Sequence, residues 1–153
     1  MRKKPPLISV IIPVKDQEKY IGRCIRSILS QSLHRDDFEV IVINDGSKDK
    51  TGYALSLFKK EIRIIKNKKT LGLPSALNIG IRNSRAPFLV RIDSDDYVNK
   101  DFLLILLKFL RLNNYMDAVA CDYFLVDDNE KILRRVNCFK EPIACGIMFK
   151  THQ

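Results

Sequence analysis

Glycine-rich phosphate loops are missing from this sequence. Its 153 residues contain neither a G-x-G-x-x-G turn after a strand nor a G-x-x-x-x-G-K-[ST] segment. The second absence excludes P-loop kinases and ATPases, and the first removes the turn through which a pyrophosphate reaches a helix amino terminus in nicotinamide-binding folds. Soft metal ligands are scarce. The four cysteines, Cys24, Cys121, Cys138 and Cys145, form no CxxC pair, and only His34 and His152 could join them. A zinc site is not expected, and reduced thiols are. No apolar run reaches the ~18 residues that span a bilayer. Repeats and low-complexity segments are also lacking. Acidic residues are the minority charge, 18 against 27 Lys and Arg, for a formal net charge of +9.

That positive charge suits nucleic acid, an anionic membrane surface or a phosphate-bearing substrate. The densest basic stretch, Lys66, Lys68 and Lys69, has no interleaved aromatic residues to stack on bases, so nucleic acid is not the expected partner. The amino terminus Met1-Arg2-Lys3-Lys4-Pro5-Pro6 is basic, but Leu7–Val14 runs straight into strand-like sequence without a small-residue cleavage site. The expected location is the cytoplasm. The length is one domain's worth, so residues 1–153 are read as a single domain.

Strand and helix patterns alternate along the first two thirds. Leu7–Val14 is β-branched and almost continuously apolar, as a strand buried on both faces is, and should end at Pro13 because proline cannot donate to a ladder. Tyr20, Ile21, Cys24, Ile25, Ile28 and Leu29 make one helical face, with Lys19, Arg23 and Arg26 opposite. Strand signals recur at Phe38–Ile43, Ile62–Ile65 and Pro87–Ile92, and helix signals at Tyr53–Phe58, Leu73–Ile81 and Asn99–Leu112. Four β-α units predict an α/β fold with a mostly parallel sheet and helices on both faces. Nine of the eleven residues Phe102–Leu112 are apolar, more than a half-exposed helix needs, so this helix is either deeply buried or covered by something else. The pattern then changes. Ala118–Val126 and Lys131–Val136 flank the turn Asp127-Asp128-Asn129-Glu130 as a hairpin, and Ile143–Phe149 reads as a last strand.

Ligands of parallel sheets bind beyond the strands' carboxyl ends. Three such ends carry carboxylates: Asp16, Asp45, and the cluster Asp93-Ser94-Asp95-Asp96. If the chain stays extended through Ser94, Asp93 and Asp95 point to one side, roughly 6–7 Å apart at Cα. Two carboxylates about 4 Å apart repel by about 4 kcal/mol at an effective dielectric near 20, so a partly buried cluster calls for a cation. Mg²⁺ or Mn²⁺, hard ions that bridge phosphates, would relieve the repulsion. The ordinary alternative is a solvated turn in which one Asp caps the next helix.

Four segments resemble the nucleotide-binding half of the family 2 glycosyltransferases, which have the GT-A fold. They are Ser9–Val14 with Glu18, Ser27 and Gln31; Val42–Ser47 with Asp49 and Thr51; Gly72–Gly80; and Ile92–Asp96. Together they span residues 7–98 in the family's order and spacing. The resemblance implies transfer of a sugar from a nucleotide diphosphate donor, a UDP-sugar, to an acceptor hydroxyl with inversion, in polysaccharide or glycan biosynthesis. It implies a donor site of Pro13, Val14, Asp16, Glu18, Asp45, Asp93, Ser94 and Asp95. Asp45 would face the base and Asp93 the ribose, while Asp95, with Asp93, would hold Mn²⁺ or Mg²⁺. The sequence departs from the family at Asp16 and Thr70, where many members have Asn, and at Leu77, where many have Arg. The family's acidic general base has no convincing counterpart here, since Glu141 is followed by Pro142. A nucleotide-sugar-binding module that regulates or scaffolds a full-length transferase is therefore the alternative. Expected partners are a saccharide or lipid-linked acceptor, an anionic membrane surface met peripherally, and a second copy of the chain.

Overall fold

The computed structural model describes residues 4–138, 140–141 and 145–151. Strands β1 (Ile8–Val14), β2 (Phe38–Asn44), β3 (Arg63–Lys66) and β4 (Phe88–Arg91) are all parallel, in the spatial order β3-β2-β1-β4. β1 is central, paired with β2 from Ile8↔Phe38 to Val14↔Asn44 and with β4 from Ile8↔Phe88 to Ile11↔Arg91. Every residue of β1 and β2 is buried, as their unbroken apolar runs require.

Helices α1 (Ile21–Leu29), α2 (Thr51–Ser56), α3 (Leu73–Asn83) and α4 (Phe102–Leu112) complete the β-α alternation. Apolar residues of α1, α2 and α4 pack with Val10, Ile12, Val40 and Val42 in the larger core. On the other face, α3 lays Ala76 against Ile11, Ile41, Ile43 and Leu89. Gly80 lets α3 come this close. A Cβ there would lie 2.5 Å from Ile11 Cγ2 and 2.9 Å from Ile43 Cδ1.

Several elements differ from the sequence expectation. β1 passes through Pro13 and ends at Val14. Val14 faces β2, where its carbonyl accepts from Asp45 N–H, and Ile11 faces β4, where its carbonyl accepts from Ile92 N–H. Alternation turns Pro13 toward β4, beyond the last β1–β4 pair, so its missing donor breaks no ladder. The expected first arm of the hairpin is two strands. β5 (Ala118–Ala120) joins the main sheet, while β6 (Tyr123–Val126) pairs with β7 (Ile132–Val136) in a separate two-stranded sheet. The last strand is β8 (Ile147–Lys150); part of the expected Ile143–Phe149 run lies outside the described residues. β8 enters antiparallel between β4 and β5. It therefore returns the chain to the end of β4, where the acidic cluster lies.

Half of α4 is buried, through Leu103, Leu106, Leu107 and Leu110, while Ile105, Phe109 and Leu112 are exposed. Deep burial thus holds for one face of the helix, and the other face is exposed. Among the described residues no helix is long and apolar enough to cross a membrane.

Candidate active site

The parallel order places the ends of β1, β2 and β4 on one edge. Beyond β1 and β2, two loops clasp each other. Asp16 accepts from Lys48 N–H at 2.7 Å and its own N–H donates to Ser47 Oγ; Glu18 accepts from Lys50 N–H at 2.7 Å and its N–H donates to Asp49 Oδ2. Asp16 adopts φ 50°, a left-handed conformation that Asp and Asn tolerate better than most residues. Asp16 and Glu18, expected at the donor, instead tie together the loops after β1 and β2. Pro13 and Val14 are buried.

Asp45 is 4% exposed and its carboxylate is surrounded by donors. Oδ1 accepts from Asn67 Nδ2 at 2.7 Å and Leu71 N–H at 2.9 Å, and Oδ2 from Gly72 N–H at 2.8 Å. Burial works to raise its pKa, but the Asn67 amide, the Leu71 and Gly72 N–H groups and the Lys15 charge together hold it below the usual range. Gly46 (φ 73°) sits under the same loop, where a Cβ would lie 2.9 Å from Thr70 N. Asp45 is thus the post on which residues 67–72 hang. Beside it, a cavity of about 390 Å³ is bordered by Lys48, Lys66 and Lys68. A larger one of about 690 Å³ lies at the strands' amino ends, among Phe38, Glu39 and Arg85; it is remote from the acidic edge and carries none of the expected chemistry.

Beyond β4 the chain does not stay extended. Ser94 and Asp95 form a turn closed by Asp96 N–H donating to the Asp93 carbonyl at 3.1 Å. The one-sided extended pairing of Asp93 with Asp95 is therefore corrected. Asp93 is gripped by Arg91, Nε to Oδ1 at 2.8 Å and Nη2 to Oδ2 at 3.1 Å. It also approaches Asp96 and Cys145, and ligand atoms of the three residues lie within 4.8 Å of one another. The Cys145 sulfur accepts from Asp93 N–H at 3.2 Å. Burial, then Asp96, push its thiol above the ordinary range, so it remains protonated. Desolvation and the charges of Asp93 and Asp95 raise Asp96, against the Cys145 hydrogen bond. Ser94 is buried and Asp95 exposed.

Arg23, expected opposite the apolar face of α1, is instead a junction whose side chain is 27% exposed. It donates to Glu130 Oε1 at 3.0 Å and the Asp95 carbonyl at 3.1 Å, and its guanidinium lies 4.4 Å from the Tyr97 ring centroid. Its Nε is buried without a hydrogen-bond partner. Tyr20 O–H donates to Asp128 at 3.2 Å, so the β6–β7 turn is fastened to α1 beside the acidic loop. Arg23, Asn67, Arg91 and Cys145 were not foreseen as site residues. Only Arg91 left a local signal, since a two-residue spacing along β4 sets it on the same side as Asp93.

Among the described residues Arg91 pairs with Asp93, while Arg23 reaches the Asp95 carbonyl, and neither the Asp95 nor the Asp96 carboxylate has an ion-pair partner. The oxygen donors suit Mg²⁺ or Mn²⁺, and the protonated Cys145 thiol does not turn the site toward a soft ion. Asp95 is the carboxylate left open to solvent and without a partner among the described residues.

The mostly parallel six-stranded α/β sheet flanked by helices has the GT-A fold of glycosyltransferase structures. Residues 9–150 match Glycosyl transferase family 2, and the chain belongs to that family. It is 36% identical over 122 residues to the uncharacterized glycosyltransferase EpsJ of Bacillus subtilis (strain 168), covering 78% of this chain and 34% of EpsJ. To an uncharacterized glycosyltransferase of Rickettsia bellii (strain RML369-C) it is 37% identical over 131 residues, 85% of this chain and 19% of the relative. The chain thus spans about a third or less of the length of these relatives. The fold matches S. aureus TarS 1-349 in complex with UDP-GlcNAc, with a TM-score of 0.78 at 22% identity over 94% of this chain and 45% of that one. It also matches the mannosyltransferase PcManGT from Pyrobaculum calidifontis in complex with GDP-Man and Mn²⁺, with a TM-score of 0.71 at 25% identity over 77% and 36%.

Proposed function

We propose that the protein transfers a sugar from a UDP-type nucleotide diphosphate donor to an acceptor hydroxyl with inversion, in cytoplasmic assembly of a polysaccharide or glycan. The observation that carries this reading is the approach of Asp93, Asp96 and Cys145 to one another beyond β4, with the exposed Asp95 on the adjoining turn, in a chain of family 2. The bound UDP-GlcNAc of TarS and the GDP-Man and Mn²⁺ of PcManGT support it. The whole sequence 1–153 acts as one donor-binding domain. The acceptor is a saccharide or a lipid-linked saccharide.

In this reading the acceptor oxygen attacks the anomeric carbon from the face opposite the diphosphate. The carbon–oxygen bond to the diphosphate breaks with its electron pair leaving on the diphosphate, and the acceptor proton passes to a base. Asp95 would be the principal ligand for Mn²⁺ or Mg²⁺, with Asp93 beside it near the ribose and Ser94 shaping the turn. The ion, when bound, supplies positive charge for the departing diphosphate. Arg91 fixes the orientation of Asp93, and Arg23 fixes the turn through the Asp95 carbonyl. The Pro13 and Val14 backbone flanks the base. Asp45 holds the 67–72 loop beside it, and Asp16 and Glu18 hold the loop after β1.

One observation favours a second reading, a nucleotide-sugar-binding module that regulates or scaffolds a complete transferase. Glu141 is bound by both Nη atoms of Arg134, at 2.6 and 3.0 Å, and this pairing holds its carboxyl below the usual range, which makes it a poor base near neutrality.

Titration calorimetry with UDP tests the donor site. Binding should require Mn²⁺, and Asp95→Ala should abolish that dependence with an unchanged melting curve, because the Asp95 side chain supports no other residue. Equal UDP affinity with and without Mn²⁺, or an unaltered Asp95→Ala variant, refutes the site. Transfer to saccharide acceptors then separates the readings, since donor binding without turnover selects the module.

A further inference from the structure

The exposed half of α4 carries three large apolar side chains. Ile105, Phe109 and Leu112 are 60%, 41% and 84% exposed. Their spacing of four and three residues sets them in one stripe along the helix. Tyr115, 75% exposed just past the helix end, extends the apolar patch. The charged residues on this surface, Lys108 and Arg111, are both cationic and exposed, and the sequence has no Asp or Glu between Asp101 and Asp117. Neither cation has an ion-pair partner among the described residues. Large apolar side chains flanked by unpaired cations, with no anion among them, match the chemistry of an anionic bilayer surface: acyl chains for the stripe, headgroup phosphates for the cations. A protein partner would need an apolar groove rimmed by carboxylates. A second copy would place Lys108 and Arg111 against their own kind unless it docked off the stripe.

We propose that α4 is a membrane-docking surface that lays Ile105, Phe109 and Leu112 into the headgroup boundary of an anionic bilayer, with Lys108 and Arg111 on lipid phosphates. α4 follows the acidic turn after the short segment Tyr97–Asp101. A protein resting on this helix therefore keeps the donor edge close to the lipid surface. The proposal does not depend on the donor chemistry, because vesicle binding is measured without nucleotide, metal or acceptor.

The chain contains no tryptophan, so Phe109→Trp introduces a single emission probe in the middle of the stripe. Ile81→Trp, on α3 across the sheet, is the control. Vesicles of equal parts phosphatidylcholine and phosphatidylglycerol should blue-shift the probe at position 109 and leave the control unmoved. Phosphatidylcholine alone should shift neither. In co-sedimentation with the mixed vesicles, the double change Lys108→Gln with Arg111→Gln should weaken partitioning about 30-fold, at roughly one surface-bound cation's contribution per residue. Phe109→Ser with Leu112→Ser should weaken it at least as much. These exposed side chains leave the core intact, and the near-ultraviolet spectrum checks that they do. No shift at position 109, equal shifts at both probes, or partitioning unchanged by either double change overturns the proposal. So does a concentration-dependent dimer that Phe109→Ser with Leu112→Ser dissolves while vesicle binding persists.

Discussion

Replacing Asp45 by Asn keeps the size of the side chain and removes its charge at the point where the 67–72 loop depends on it. In the native chain the carboxylate accepts from the Leu71 and Gly72 N–H groups and from Asn67 Nδ2, at 2.7 to 2.9 Å. A hydrogen bond to a charged acceptor contributes about 1.5–3 kcal/mol, and a buried donor left unpaired costs about 1–3 kcal/mol. An amide at this position offers one oxygen. It satisfies one donor as a neutral acceptor, shares weakly with a second, and turns its own NH₂ against the third. Leu71 is 43% exposed, so water recovers part of the loss. The net cost is about 2–3 kcal/mol. Urea unfolding near neutral pH should show that loss with little change in the denaturant slope. If the 67–72 loop opens locally, hydrogen exchange at the Leu71 and Gly72 amides should accelerate about 30-fold or more. The pH dependence follows from the depressed native pKa of Asp45. Its stabilising contribution is present above the unfolded value near 3.9 and is lost as pH falls through the lower folded value. The gap between wild type and Asp45→Asn should therefore be constant from neutrality to about pH 5 and close under more acid conditions. An Asp45→Asn variant as stable as wild type at neutral pH, or a gap that persists in acid, would refute this account of the loop.

Gly80→Ala should lower stability by about 1–3 kcal/mol through overpacking, because the new methyl meets Ile11 and Ile43 within 3 Å; thermal melting checks it, and an unchanged midpoint would mean that α3 is free to move off the sheet. Arg23→Ala should leave the global melting midpoint within a few degrees but speed amide exchange across the β6–β7 turn, since it removes the Glu130 ion pair and the contact with the Asp95 carbonyl. Glu130→Gln should reproduce the effect on the turn without disturbing the contact at Asp95. Equal protection in all three proteins would show that the hairpin is held by other contacts.

Much of the acidic edge was legible because its signals are local. A strand buried on both faces must be continuously apolar, so Ile8–Val14 and Phe38–Asn44 stood out. A carboxylate directly after such a strand must lie at its carboxyl end, which located Asp16, Asp45 and Asp93. Pro13 misled because a proline interrupts pairing only when its nitrogen faces a neighbour, and that depends on where β4 stops. The division of Ala118–Val126 into two strands was illegible for a related reason. β5 leaves the hairpin to pair with β8, and strand composition does not name a partner.

The sequence by itself determined the α/β alternation, through its periodicity, the likeness to the family, through four segments in the family's order, and which residue types stand at the carboxyl ends of the strands. The tertiary structure decided which of those residues are already engaged. Asp45 is enclosed by amides from 22 to 27 residues away. Arg23 meets Glu130 across 107 residues, and Cys145 returns on the path to β8 to meet Asp93 across 52. The turn at Ser94 and Asp95 leaves the Asp95 carboxylate exposed and without a partner among the described residues. A carboxylate's role depends on the donors that reach it, and those donors come from segments that only the folded sheet brings together.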